Sequence, residues 1–340
     1  MPKIITQPSE RSVFLVAAGG VTLAILALLF APTPVASEAA ATGSGSKPAS
    51  QASSKPAKGA ASAEAHSTST VAAIATSGTG LQPADFPTAA YATLLSTYLD
   101  AKGFVNYEKL AGPGKPELQK LVDAIAQTDL EALNGLRDME MAAWYANAYN
   151  ILTLKTIVDH YPLKSITNLD KPWDQPFIVA GRPLTLNQIE HEILRMKDEP
   201  KDRRVAFVNP GLHFAVNCAS IGCPRLQPVP FTAANLLEMY AKGANDFAAN
   251  PAQFQFDGKT WKISQLMDWY GDDFLLHHAE ASAPLAAKLK AKGVDQAEKL
   301  AAVAWYFSTV LEDEKLAEKL RAGDYSIEWI EYDWGLNKQS

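Results

Sequence analysis

The chain has 340 residues, of which 47% are hydrophobic and 20% are charged, and its formal net charge at pH 7 is −6. This acidic balance leaves no basic footprint for nucleic acid, and no period in the sequence indicates repeats, so both classes of protein are excluded. Length alone would allow two domains, but the composition is uneven along the chain and does not support folding of all of it.

The N-terminus has the layout of an export signal. Lys3 and Arg11 precede an apolar run over residues 13–31 that is broken only by Thr22. A run of about 19 residues can cross a membrane as a helix, whereas the apolar region of a cleaved signal peptide is typically about 7 to 15 residues. Length therefore favours an uncleaved anchor within residues 1–31, although the small residues of PVASEA suit cleavage. Both alternatives predict an exported protein, either anchored in the inner membrane with a periplasmic domain or released as a periplasmic or secreted protein.

The next segment, residues 32–84, consists mostly of Ala, Ser, Gly, Thr, Pro and Lys and contains no Trp, Tyr or Phe. Such a composition buries too little apolar surface to offset the entropy of ordering, so it predicts a disordered tether. A flexible coil of about 50 residues has a root-mean-square span of roughly 40 Å. Residues 85–337 are then expected to form a single globular domain at some distance from the membrane.

The first part of this domain is predicted to be helical. Apolar residues recur at helical spacing over residues 86–99 and 116–126. Residues 136–161 show the strongest helical pattern, without Gly or Pro and with apolar residues on nearly all sides, which indicates a buried central helix. Asn147 and Asn150 in this helix are unusual because buried amides need hydrogen-bond partners.

A β-hairpin is predicted over residues 177–186, with Ala180 and Gly181 at its turn. Thr185 then caps a predicted helix with the sequence LNQIEHEILRM. The later elements are a helix over residues 233–249, a hairpin in FQFDGKTWKI, a helix opened by Ser264, helices near residues 283–292 and 297–311, and a terminal strand in YSIEWIEYDWGLN. This mixture predicts an α+β fold in which helices pack on a small antiparallel sheet.

The segment HFAVNCASIGCP, residues 213–224, contains both cysteines of the chain. Paired cysteines in an exported protein usually oxidise, so a structural disulfide between Cys218 and Cys223 is one interpretation. Gly222 is well placed to let the short loop between them turn back. This disulfide would constrain the unfolded chain only modestly, since the loop that it closes is short.

A zinc site is the second interpretation. His213, Cys218 and Cys223 are each five residues apart, and His191 on the preceding helix is a fourth potential ligand. Imidazole and thiolate ligands suit zinc, but this spacing differs from that of the usual zinc knuckles. No cofactor is therefore expected, with zinc kept as an alternative.

The third interpretation makes Cys218 a nucleophile. A catalytic thiol needs an imidazole that holds it as thiolate, and the imidazole needs a carboxylate or amide that orients it. The candidate catalytic residues are Cys218, His213, His191, Glu190, Asn147 and Asn150. If LHFAVNC were one continuous strand, His213 and Cys218 would point to opposite faces, roughly 17 Å apart. The chain must turn between them, or another residue such as His191 must act as the base, or His213 must serve a different nucleophile.

Five motifs occur in an order and at separations that resemble the family known as domain of unknown function 547: WYANAYNILTL, LNQIEHEILR, HFAVNCASIGCP, SQLMDWYGDDF and YDWGLN. The resemblance covers most of residues 95–337. It implies that the functional positions are Asn147, Asn150, Glu190, His191, Arg195, His213, Cys218, Ser220 and Cys223. Members of that family include exported and intracellular proteins, which implies that a disulfide is not a sufficient reason for the two-cysteine motif.

The resulting functional hypothesis is thiol-dependent hydrolysis or acyl transfer at amide or ester bonds. Cys218 would attack the carbonyl, a histidine would act as base, Glu190 or an Asn would orient that histidine, and Cys223 would protect the thiol by reversible pairing. The general layout, an α+β arrangement with a polar central helix, also resembles papain-like and transglutaminase-like thiol enzymes.

The competing hypothesis is a non-enzymatic binding or scaffolding domain of the cell envelope, in which Cys218 and Cys223 form a structural disulfide. Under either hypothesis the partner is an envelope substrate or protein, and contact with the membrane is made through the N-terminal segment.

Overall fold

A computed structural model describes residues 80–340 of the chain. The predicted anchor or signal within residues 1–31 and the predicted tether up to residue 79 lie outside these residues. Within residues 80–340, no helix is both long and apolar enough to cross a membrane. Leu81, which precedes the expected domain boundary at residue 85, pairs its backbone N–H and C=O with Gln127 and Asp129.

Residues 80–340 form ten α-helices: α1 Thr88–Tyr98, α2 Tyr107–Ala111, α3 Lys115–Gln127, α4 Leu130–Asn134, α5 Asp138–His160, α6 Lys201–Phe207, α7 Leu236–Ala248, α8 Leu266–Ala291, α9 Ala297–Val310 and α10 Glu314–Ala322. The strands are β1 Pro176–Val179, β2 Arg182–Thr185, β3 Phe254–Phe256, β4 Thr260–Ser264 and β5 Ser326–Ile330. Short 3₁₀ helices occupy Pro83–Asp85, Ile166–Asn168 and Pro210–Phe214, and a π-helix occupies Gln188–Leu194. The predicted α+β class is confirmed.

The central helix α5 organises the N-terminal half. It begins where Glu140 accepts a hydrogen bond from the backbone N–H of Arg137 at 3.0 Å, and it ends shortly before Pro162. Most of its side chains from Ala143 to Val158 are buried, as the apolar pattern predicted. α1 and α3, which confirm two further predicted helices, contribute to the same apolar cluster.

The predicted hairpin is confirmed as β1 and β2. Ala180 and Gly181 form its turn with φ angles of 49° and 74°, and a two-residue turn of this hand matches the twist of the strands. Thr185 and Gln188 exchange hydrogen bonds of 3.1 Å, so the predicted cap is also present. The segment that follows is a π-helix rather than the expected α-helix.

The C-terminal half packs α7, α8, α9 and α10 against β3, β4 and β5. β3 and β4 form the predicted hairpin, but β5 pairs with β4 in the parallel sense, so this sheet is mixed and not antiparallel. Parallel pairing requires a long crossover, which the three helices α8, α9 and α10 supply. α8 continues through Pro284 while packed on α9, so the separate helix predicted near residues 283–292 is instead the end of α8.

Two apolar clusters result from this arrangement. The first gathers the N-terminal helices and the β1–β2 hairpin, and the second gathers the C-terminal helices and the mixed sheet. A cleft is lined by residues of both clusters, including Tyr149 and Val216 from the first and Leu266 and Tyr332 from the second. The fold therefore places the cleft where the two clusters meet.

Candidate active site

The segment LHFAVNC is not a strand. Residues Pro210–Phe214 form a 3₁₀ helix, which begins where the side chain of Asn209 accepts a hydrogen bond from the N–H of Gly211 at 2.8 Å. The chain then turns before it reaches the first cysteine. The turn removes the opposite-face geometry of an extended strand, and both His213 and Cys218 line the cleft.

Asn147 and Asn150 hold this segment from the central helix and do not line the cleft. The amide of Asn150 donates to the carbonyl of Ala215 and accepts from the N–H of Asn217, both at 2.8 Å. The amide of Asn147 makes the same pair of bonds with the backbone of Phe231, at 2.8 Å and 2.9 Å. Each amide therefore holds a loop against α5 through one donated and one accepted hydrogen bond, and the catalytic role expected of the two residues stays a prediction.

The C-terminal segment holds the turn between the two cysteines from the other side. The N–H groups of Ile221 and Gly222 donate to the carbonyls of Gly335 and Asp333 at 2.7 Å and 2.8 Å. A Cβ atom at Gly222 would lie 2.8 Å from the backbone nitrogen of Asp333, so only glycine allows this approach. Tyr332, one residue before Asp333, is thereby brought to the thiol.

The two thiols differ in exposure and partners. Both cysteines are free; Cys218 is partly exposed, whereas Cys223 is buried. The Cys218 sulfur lies 3.0 Å from the hydroxyl of Tyr332 and 3.7 Å from that of Ser220. The Cys223 sulfur accepts a hydrogen bond from the backbone N–H of Cys218 at 3.2 Å.

These partners separate the acidities of the two thiols. Hydrogen bonds with Cys223, and then with Tyr332 and Ser220, lower the pKa of Cys218 below its ordinary value despite the opposing effect of burial. Burial, reinforced by the neighbouring Cys218, raises the pKa of Cys223 well above its ordinary value. Cys218 is therefore the thiol that ionises first, as a nucleophile requires.

A buried carboxylate orients His213. The Nε2 atom of His213 lies 2.8 Å from Oδ2 of Asp273, which is fully buried on α8. Arg195 and Arg204 also donate to Asp273, at 2.6 Å and 3.0 Å. Burial raises the pKa of Asp273, but the bonds and charges of His213 and Arg195 outweigh it and hold that pKa well below its usual range.

The ionised Asp273 fixes the tautomer of His213. A carboxylate is only an acceptor, so Nε2 of His213 must carry the proton, and in the neutral ring Nδ1 is then the basic nitrogen. The ring of His213 also stacks against Tyr270 with centroids 4.3 Å apart, which limits its rotation. A neutral His213 held in this way presents Nδ1 as an acceptor, as a general base requires.

His191 has the opposite arrangement. Its Nδ1 atom lies 2.9 Å from Nη1 of Arg195, and because a guanidinium can only donate, Nδ1 is an acceptor. Burial, followed by the charge of Arg195, lowers the pKa of His191, while Glu190 acts against this. The neutral ring therefore carries its proton on Nε2, so that this nitrogen is a donor and not a base.

Glu190 does not orient a histidine by a hydrogen bond. Its Oε1 atom is 3.8 Å from Nδ1 of His191, and its Oε2 atom accepts from the hydroxyl of Tyr149 at 2.9 Å. The hydrogen bond to a histidine that was predicted for Glu190 or an asparagine is made by Asp273, which was not among the predicted site residues. The carboxylate of Glu190 nevertheless lines the cleft.

The cleft has a volume of about 210 Å³. Aromatic side chains surround the reactive groups, and this aromatic rim consists of Trp173, Trp269, Tyr332 and Trp334. Trp269 stacks on Trp334 with centroids 5.8 Å apart, and Trp334 lies 4.5 Å from Tyr332. Pockets for drug-sized ligands are larger, at about 300 to 1,000 Å³, so this cleft fits one group of about the size of an amino-acid residue.

The predicted zinc ligands have other partners in the cleft. Among residues 80–340, no group of three or more His, Cys, Asp or Glu side chains is placed to hold a metal ion. His213 uses one ring nitrogen for Asp273, and Cys218 contacts Tyr332 and Ser220.

The fold and the cleft define an α+β protein with a cysteine, a histidine and a supporting aspartate at one site. Residues 133–248 match the model of the family described as "Protein of unknown function, DUF547". This match agrees with the resemblance that the motifs indicated. Comparisons with curated proteins and with solved structures give no match.

Proposed function

We propose that the protein is a thiol-dependent hydrolase or acyl transferase that acts on amide or ester bonds, with Cys218 as nucleophile and His213 as general base. One observation carries the proposal: a single cleft holds a partly exposed thiol of lowered pKa and an imidazole whose Nε2 is bonded to a buried carboxylate. This is the Cys, His and Asp combination that activates a thiol in acyl-transfer enzymes.

In the proposed reaction, Nδ1 of His213 takes the proton of the Cys218 thiol, and the thiolate attacks the substrate carbonyl. The carbon–sulfur bond forms as the carbonyl oxygen becomes negative. The carbonyl then re-forms as the carbon–nitrogen or carbon–oxygen bond of the substrate breaks, and the leaving amine or alcohol takes the proton from His213. Water or an acceptor amine attacks the thioester, transfers a proton back to His213 and releases Cys218. The donor at Nε2 of His191 is suited to bind an oxygen of the substrate within the cleft.

The proposed setting is the cell envelope, with the domain held at the membrane by the N-terminal segment. The papain-like or transglutaminase-like analogy is part of this proposal, and its support is the shared chemistry of a thiol, an imidazole and a carboxylate.

The test is the formation of an acyl-enzyme from p-nitrophenyl esters, detected by intact mass and located by fragment ions. Wild-type protein is expected to release p-nitrophenol and to carry the acyl group on Cys218. Cys218→Ala and His213→Gln should abolish the adduct or slow its formation, whereas His160→Gln, an exposed histidine at the end of α5, should have no effect. Equal rates in wild-type protein and Cys218→Ala would overturn the proposal.

The scaffolding alternative predicts a different result in a simpler experiment. If Cys218 and Cys223 form a structural disulfide, intact mass after alkylation will show modification only when the protein is first reduced. Two thiols that alkylate without reduction, with Cys218 reacting much faster than Cys223, support the catalytic proposal instead.

A further inference from the structure

The cleft contains one charged group that the proposed reaction does not use. Glu190 is 6% exposed, it lines the same cavity as Cys218, and its charge is close enough to oppose ionisation of that thiol. Its side-chain hydrogen bonds are with neutral tyrosine hydroxyls, those of Tyr149 and Tyr270.

The arginines beside the cleft do not neutralise Glu190. Arg195 and Arg204 are both bound to Asp273, and among residues 80–340 no Lys or Arg forms an ion pair with Glu190. His191, at 3.8 Å, is the nearest basic side chain, but its lowered pKa keeps it neutral near pH 7. A buried carboxylate without a cationic partner is costly, and a cationic ligand would relieve that cost.

The aromatic rim adds a second observation. Trp269 and Trp334 stack on each other, and Tyr332 lies against both with ring centroids 5.0 Å and 4.5 Å away. An aromatic surface alone would accept a sugar face, an acyl chain or a cation equally well. Together with a carboxylate it favours an ammonium group, because aromatic faces attract cations and the carboxylate supplies the counter-charge.

We infer that the cleft binds a protonated amine of the substrate close to the carbonyl that Cys218 attacks. Glu190 supplies the counter-charge, and the side chains of the aromatic rim contact the ammonium group. This inference rests on the proposed function, since it names the substrate class of the same site. The volume of about 210 Å³ admits one residue-sized group, so the substrate class is an amino acid or peptide derivative with a free amino group.

The test compares three methanethiosulfonate reagents of different charge: the cationic trimethylammonium-ethyl, the neutral methyl and the anionic sulfonatoethyl reagent. The Cys218 thiolate attacks the reagent, a mixed disulfide forms, and methanesulfinate leaves, so no catalysis is needed. Each rate is divided by the rate with N-acetylcysteine, which removes differences in intrinsic reactivity. The normalised rate of the cationic reagent should exceed that of the neutral one by about 10-fold, with the anionic reagent slowest.

Variants assign the preference to the residues. Glu190→Gln keeps a hydrogen-bond acceptor for Tyr149 and should reduce the cationic-to-neutral ratio to near one, whereas Glu192→Gln, an exposed neighbour on the same π-helix, should leave it unchanged. Trp269→Leu should lower the ratio about 3-fold, and Trp329→Leu, an exposed tryptophan on β5 outside the cleft, should not.

A measurement on wild-type protein covers the case in which Glu190→Gln does not fold. Butylammonium should slow labelling of Cys218 by the neutral reagent, and butanol at the same concentration should not. Equal normalised rates for all three reagents, or equal protection by butanol, would overturn the amine inference while leaving Cys218 as a reactive thiol. A Cys218 that no reagent labels in the folded protein would overturn the proposed function as well.

Discussion

Each of two walls of the cleft carries a histidine, and the two histidines have hydrogen-bond partners of opposite charge. On the α8 wall, formed by α8 and the 3₁₀ helix Pro210–Phe214, His213 faces the carboxylate of Asp273. On the π-helix wall, formed by Gln188–Leu194, His191 faces the guanidinium of Arg195. The carboxylate makes Nδ1 of His213 a base, and the guanidinium makes Nε2 of His191 a donor. The charge of the partner, and not the residue type, decides which histidine can take a proton.

Neutralisation of Asp273 should have the largest effect on the difference between the two histidines. Asp273→Asn would leave Arg195 and Arg204 partly buried without their counter-charge, and we expect it to lower the free energy of unfolding by about 3 to 5 kcal/mol. Urea unfolding at pH 7 measures the loss. Asp272→Asn is the matched control, because that neighbouring side chain is 69% exposed, and it should change stability by less than about 0.5 kcal/mol. Similar losses in both variants would contradict the role of Asp273.

The same carboxylate predicts an acid dependence. The folded pKa of Asp273 lies below its unfolded value of about 3.9, so its stabilising effect is complete above that pH and is lost as the pH falls toward the folded pKa. The difference in unfolding free energy between wild-type protein and Asp273→Asn should therefore shrink between about pH 5 and pH 2. A difference that stays constant over this range would contradict the assignment.

The sequence could predict the helix and the hairpin of the N-terminal half, but not which side chains form pairs in the walls of the cleft. α5 was predictable because its apolar residues recur without Gly or Pro, and the β1–β2 hairpin because Ala180 and Gly181 suit its turn. The burial of Asp273 was not predictable, because it stands beside the exposed Asp272 in DWYGDDF. Nothing in the local sequence shows which of the two side chains is buried. Its partners His213 and Arg195 are 60 and 78 residues away, so only the folded chain reveals the contact.

The remaining differences between the sequence predictions and the structure also depend on long-range contacts. β5 pairs with β4 in parallel because three helices separate them, and a short apolar strand carries no signal of its direction. The polar motif of α5 did show that Asn147 and Asn150 need partners. That those partners are loop backbones and not substrate depends on where residues 215–217 and 231 pack.

The third prediction compares the two histidines directly. His213→Gln should slow formation of the Cys218 acyl adduct by about 100-fold, as expected for loss of a general base, and His191→Gln should slow it by about 10-fold or less. Stopped-time intact-mass measurements with p-nitrophenyl acetate give both rates. A larger effect at His191 than at His213 would reverse the assignment of base and donor.

The two hydrogen bonds that Asn150 makes with the loop behind the α8 wall should have the next largest effect. Asn150→Ala removes the partners of the Ala215 carbonyl and the Asn217 N–H in a buried region, so we expect a loss of about 2 kcal/mol in unfolding free energy. Asn134→Ala, at the exposed end of α4, is the control and should cost less than about 0.5 kcal/mol. If Asn150 acted on substrate instead, its removal would slow acylation without changing the urea midpoint.

The smallest effect is expected at the thiol itself. The hydroxyl of Tyr332 helps to lower the pKa of Cys218, so the rate of alkylation by iodoacetamide should rise with pH through a midpoint below the ordinary thiol value of 9.0. Tyr332→Phe removes this donor, moves the midpoint upward and slows alkylation at pH 7 by roughly 2- to 10-fold, the range for one hydrogen bond. Tyr325→Phe also loses a buried hydrogen bond, to the carbonyl of Leu320 at 2.8 Å, but it does not line the cleft and should leave the midpoint unchanged. Because both variants remove one hydroxyl from a buried tyrosine, a shift confined to Tyr332→Phe separates thiolate stabilisation from a general loss of packing.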